Sequence, residues 1–225
     1  LNFIDTQIYR KNTINLNCNR HHIVFKQKNI IPNFCFGCFK IQIEPKDVLN
    51  LIRLYLIFDN FNFPKNNWRK CLIELRHQMP GAYKGLIYCS SLREAEEIIK
   101  NLLPILNKYL KFKYSIKRGC SEFYKSFPNF INVKETEKNF MKYNKKWHIE
   151  ELEVDSKLNS KKYTLTNSIV GLSIHDILTI NQWANYANLI GDRSYNDIGL
   201  EFTHSNYITY KIKDQKDFRI KQILC

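Results

Sequence analysis

An α+β fold is predicted for this chain, with a ferredoxin-like core of order β-α-β-β-α-β over residues 39–118. A small N-terminal Cys/His module (1–38) precedes it and a mixed, mainly helical segment (119–225) follows it. Two observations predict the core. Apolar residues alternate with period two in four short runs, the mark of half-buried strands, and two intervening stretches carry them at helical spacing. The order of these runs then matches an antiparallel four-stranded sheet with two helices on one face.

The first strand is read from Phe39, Ile41 and Ile43 alternating with Lys40, Gln42 and Glu44, and Pro45 ends it. Asp47 can cap a helix whose buried stripe is Val48, Leu51, Ile52, Leu54, Tyr55 and Phe58. Cys71–Arg76 and Gly85–Cys89 form a hairpin about the Pro80-Gly81 turn. Ser91 and Glu94 have capping-box spacing and open a helix with Ala95, Ile98, Ile99, Leu102 and Leu103 inward, which Pro104 is expected to kink or restart. Phe112, Tyr114 and Ile116 alternate with Lys113, Ser115 and Lys117 as the fourth strand.

Outside the core the pattern is weaker. Residues 1–17 read as a peripheral arm, and His22–Lys26 as a short β-like run. Residues 134–153 read as a mixed-charge helix and Lys157–Lys162 as a polar linker. A helix from Leu172 is capped by Ser173 and stopped at Gly191. Two strand-like runs, Asn206–Ile212 and Phe218–Leu224, close the chain.

The composition bounds function. The most apolar window, Val48–Phe61, is interrupted by Arg53 and Asp59 and is too short to span a bilayer; with no signal peptide visible, a cytoplasmic protein without membrane contact is expected. The leucine at position 1 raises the expectation of an accessory domain of a longer polypeptide. The net charge of +14 points to an anionic partner, nucleic acid first, because Lys and Arg neutralise phosphates. The charge is carried by 26 Lys against 9 Arg, alongside abundant Asn and Ile, which is also what AT-rich codons specify. Seven cysteines without a closely spaced disulfide pattern favour reduced thiols or metal ligation.

Three constellations carry chemistry. Cys18-x2-His21-His22 and Cys35-x2-Cys38 offer the thiolate and imidazole ligands of a structural zinc site, with Cys18, His21, Cys35 and Cys38 the expected set and Gly37 easing the turn. Buried thiols, or a redox pair at Cys35 and Cys38, are the competing readings. Zinc there would clip the start of the first core strand.

Lys84-Gly85-Leu86-Ile87-Tyr88-Cys89 and the helix from Ser91 resemble the third strand and following helix of RNA-recognition motifs. The resemblance covers about 15 residues and implies base stacking on the open sheet face. There the chain offers Tyr88 but departs from the pattern at Lys40, Gln42 and Glu44. Backbone-phosphate contact by Lys40, Arg76, Lys84, Lys113 and Lys117 is the alternative use of that face.

Finally, Cys120 follows a strand beside Arg118 and Gly119, a setting that favours a reactive thiolate. A cysteine-dependent or transferase-like enzyme with a pocket around Cys120 and Arg118 is therefore the rival to a non-enzymatic binding module. His77, His148 and His175 are its candidate bases, and no spacing selects among them.

Overall fold

The structure, a computed structural model, describes residues 5–76, 79–158 and 165–198. The expected tail strands Asn206–Ile212 and Phe218–Leu224, His77 and most of the linker lie outside the described residues. The fold is mixed α/β: a five-stranded antiparallel sheet with six α-helices among the described residues. Strands are β1 (Gln7–Arg10), β2 (Phe39–Pro45), β3 (Arg69–Ile73), β4 (Tyr83–Cys89) and β5 (Phe112–Arg118). Their order across the sheet is β1-β3-β4-β2-β5, and every neighbouring pair is antiparallel.

The predicted strand phases hold on β2, β4 and β5. Phe39 faces Cys89 and Arg118, Ile41 faces Ile87 and Ile116, and Ile43 faces Gly85 and Tyr114. This side packs on α3 (Val48–Asn60) and α4 (Leu92–Tyr109), and Ile41, Ile43, Leu51, Leu54, Ile87 and Leu102 are fully buried there. Asp47 caps α3 by accepting from the Asn50 N–H at 2.8 Å. Ser91 caps α4 likewise, but the Glu94 carboxylate returns to the N–H of Ser90 instead of Ser91, so the expected capping box is shifted by one residue. The helix α4 runs on through Pro104, which sits on its exposed face.

Gly85 is the tight point of this packing. A methyl group there would lie 2.4 Å from Leu54 Cδ2 and 3.2 Å from the Phe58 ring. Gly85→Ala is expected to lower stability by about 1–3 kcal/mol through overpacking, read as a lower urea midpoint at unchanged slope.

Four expectations are corrected. The sheet has five strands, not four, because residues 7–10 of the supposed peripheral arm pair with Arg69–Leu72 of β3. The β-like run His22–Lys26 lies inside a helix, α1 (Cys18–Lys28), whose buried side shows only His21 and Val24. The helix expected over 134–153 starts only at Trp147 (α5, Trp147–Lys157); the residues before it form turns. The strand expected over Cys71–Arg76 is β3, starting at Arg69 and ending at Ile73, so Glu74 and Arg76 lie just beyond the ladder.

The N-terminal segment and residues 119–158 share packing. The helix α1 lies against α5, with Arg20 bridging Glu151 at 2.6 Å and Asp155 at 2.7 Å. Beneath them Ile31, Cys35, Phe123 and Phe130 form a second, aromatic core joined by Phe25, Phe36 and Trp147. Cys35 belongs to a short helix, α2 (Asn33–Gly37), that leads into β2.

The last helix, α6 (Ile174–Leu189), joins α3 and α4 on the same side of the sheet, with Trp183 fully buried. Ser173 and Asp176 form a complete capping box at its start. The Arg10 guanidinium ties these parts together. It is 6% exposed and reaches Asp59 at 2.8 and 2.9 Å, the Tyr55 hydroxyl at 2.6 Å, the Gly171 carbonyl at 2.8 Å and Asp176 at 3.2 Å.

A candidate ligand groove with a cysteine cluster at one end

With three helices on one side, the other side of the sheet is left as a groove of about 580 Å³, a size suited to a small ligand or a short polymer segment. Strand alternation supplies its floor: Gln7 and Tyr9 from β1, Lys40 and Gln42 from β2, Lys70 and Leu72 from β3, Lys84, Leu86 and Tyr88 from β4. Trp68, just before β3, and Leu16, Cys18 and His22 from the N-terminal segment make one wall; Gly119, Cys120, Ser121 and Glu122 close the end near β5.

The five residues expected to bind anions are placed very differently. Lys84 is buried, its ammonium 2.9 Å from Glu74. Arg76 holds the same carboxylate through two 2.8 Å bonds. Those bonds, with Lys84 behind them, draw the Glu74 carboxyl down to about 2, so Glu74 stays ionised and absorbs the charge of its neighbours. Lys113 and Lys117 are exposed on β5, the sheet's outer strand, and do not line the groove.

Lys40 is different. It is half-buried on the floor, and among the described residues its ammonium has no hydrogen bond or ion pair. Burial lowers its pKa, while Cys120 and Glu122 pull the other way. Lys70 beside it is also lowered by burial and meets the Gln7 amide at 2.9 Å and the Tyr9 ring at 5.1 Å. Lys11 lies over both Tyr9 and Trp68, at 5.0 and 5.1 Å. The Trp68 Nε1 is buried with no acceptor among the described residues.

The cysteines converge from distant parts of the chain. Cys35 and Cys120 meet as a close pair of thiols, whose interaction lowers the pKa of Cys120 and raises that of Cys35. Cys38 packs against Gly119, where a methyl group would stand 2.3 Å from its Sγ; burial pushes this thiol up to about 12. Cys18 is exposed and lines the groove. His21, expected as the fourth metal ligand, instead stacks on Phe34 with ring centroids 5.0 Å apart. Its buried Nε2 has no partner among the described residues, and burial holds its pKa down to about 4, so the ring is neutral.

His22 takes the place that spacing assigned to His21. Its ring nitrogen, Cys120 Sγ and a Glu122 oxygen lie within 4.8 Å of one another. Sequence spacing held His22 as the alternative to His21 and did not identify Glu122; the helical turn that sends His21 inward sends His22 toward the groove. Nor did it show that Arg118 and Cys120 part company. Arg118 sits on the helix side of the sheet, donates to the Phe36 carbonyl at 2.6 Å and is caged by Phe39, Phe130 and Phe140. It is structural, and the pocket beside Cys120 is formed without it.

Comparison with family models, with curated proteins and with solved structures gives no match, so a functional reading rests on this geometry. No helix among the described residues is long and apolar enough to cross a membrane.

Proposed function

We propose that the chain is a binding module that takes an anionic partner, single-stranded nucleic acid first, in the groove on its open sheet face. The observation that carries this is Lys40, a half-buried ammonium without an acidic partner. A desolvated, unpaired charge costs free energy, and a phosphate entering the groove would offset that cost. Tyr9, Trp68 and Tyr88 around Lys40 and Lys70 supply the other half of single-strand recognition, aromatic faces beside a basic track. Two of these three aromatics lie outside the stretch that resembles an RNA-recognition motif.

The module is proposed to be built on a ferredoxin-like unit of β2–β5 with α3 and α4, extended by β1 beside β3. The strand order and the placement of both helices on one side support this. The fold class alone assigns no activity.

Titration of a labelled single-stranded oligonucleotide tests the reading. Binding is expected to weaken steeply between low and physiological salt, with a log–log slope of about 0.7 per phosphate neutralised, and to quench Trp68 fluorescence. Elution of the protein from heparin or nucleic acid at low salt, as a neutral protein behaves, would remove the polymer.

The grouping of His22 and Glu122 about Cys120 favours a second reading, a cysteine nucleophile with its base beside it at the groove's end. It predicts selective alkylation of Cys120 near neutral pH; uniform slow labelling of the accessible thiols would count against it. A metal on the same atoms would block the nucleophile, so the two uses of the cluster exclude each other.

A further inference from the structure

We propose that Cys120, His22 and Glu122 hold a divalent transition metal, zinc first, with its fourth coordination position turned toward the groove. A thiolate, an imidazole and a carboxylate are the donor types zinc takes at about 2.0–2.3 Å. Their three donor atoms already lie within 4.8 Å of one another around a common point. Closing to a tetrahedron needs a shift of side chains, which the exposed Glu122 can supply while His22 and Cys120 stay half-buried.

Cys120 is held from behind, where it packs against the buried cluster of Ile31, Cys35, Phe123 and Phe130. The Phe123 ring, 6.4 Å from that of His22, lies beside the imidazole.

All three ligands line the groove, so the position left to solvent faces the ligand space beside Lys40. One thiolate and one carboxylate balance a divalent ion, which leaves the Lys40 charge available to an anionic ligand. An open site with three protein ligands differs from the closed structural clip that the spacing of Cys18, His21, Cys35 and Cys38 suggests. The inference does not depend on nucleic acid as the partner.

The test is metal content of the purified chain, followed by chelation and titration with Co²⁺ alone. Wild-type protein is expected to carry one equivalent of metal and to show a thiolate-to-cobalt charge-transfer band of one-thiolate intensity. Cys120→Ser and His22→Ala should abolish that band, and Glu122→Gln should weaken binding at least tenfold. Cys18→Ser, at an exposed position that leaves the core untouched, should retain it. Absence of both metal and cobalt signal in wild type would overturn the proposal. So would a band of three-thiolate intensity, or one lost in Cys18→Ser and kept in Cys120→Ser, either of which assigns the metal to the upstream cysteines. Circular dichroism of each variant separates loss of metal from loss of fold. No oligonucleotide is present, so protein that holds metal but no nucleic acid would remove the partner and leave the centre standing.

Discussion

Replacing Arg10 with methionine is expected to lower stability by about 3–5 kcal/mol, the range for breaking a buried charge network by removing one partner. Methionine keeps much of the side-chain volume, so the loss reports charge and hydrogen bonding. The guanidinium neutralises two carboxylates, Asp59 and Asp176, whose side chains are each 5% exposed. Without it both are buried beside one another uncompensated, and the Tyr55 hydroxyl and Gly171 carbonyl each lose a bond. The effect should appear in urea denaturation as a large fall in midpoint. Asp59→Asn combined with Arg10→Met should recover part of it, because one of the stranded charges is gone; an additive double variant would show that the network is not coupled.

The second large effect has opposite signs for folding and for function. Lys40→Met removes an ammonium that is half-buried and unpaired, so the stability of the free protein is expected to stay level or rise. Affinity for a single-stranded oligonucleotide is expected to fall about ten- to a hundredfold, and the salt slope by about 0.7. A structural lysine would give the reverse pattern, lower stability with binding unchanged. Lys100→Met is the control: it lies exposed on α4, on the other side of the sheet from the groove, and should alter neither quantity beyond the general effect of one charge. Equal losses of affinity in both variants would mean that net charge, not the groove, attracts the polymer.

The parts of the fold that could be read in advance are those whose burial is set locally. β2, β4 and β5 each have one packed side and one wetter side, so alternation showed both their existence and their phase. The same phase correctly put Lys40, Lys84, Leu86 and Tyr88 on the face opposite the helices. β1 was missed because its inward residues are Ile8 and Arg10. An arginine on the core side resembles a solvated loop until its partner Asp176 is known, 166 residues away. α1 was missed because His-Ile-Val-Phe is β-branched and aromatic, while its helical stripe is only His21 and Val24.

The candidate site follows the same division. Cysteine content and spacing led to Cys18, His21, Cys35 and Cys38; of these four the structure sets Cys18 in the groove and buries the others. Which histidine faces the groove depends on how α1 is turned, and the Arg20 pairs to Glu151 and Asp155 hold α1 against α5. No motif within the N-terminal segment records that contact, since its carboxylates are on α5. Likewise the charge pattern suggested five basic residues for an anion, whereas Glu74 pairs with two of them and Lys40 remains the half-buried, unpaired cation of the five in the groove.

The fifth strand also has a consequence for the order in which the chain can fold during synthesis. β1 is synthesised before the other four strands, but part of what fixes it comes late. Its ladder partner is β3 and Arg10 is held early by Asp59 and Tyr55 of α3, but Asp176 and Trp183 of α6 complete the anchoring, the latter donating to the Thr6 carbonyl at 2.8 Å. Until α6 emerges, β2–β5 with α3 and α4 can form a sheet whose β3 edge has nothing on it but solvent. Long-separated contacts of this kind slow folding, and an unpaired edge is open to other strands. Nascent chains halted before residue 174 should therefore bind chaperones or self-associate more than chains halted after residue 190, and the N-terminal residues should gain protease resistance only in the longer set.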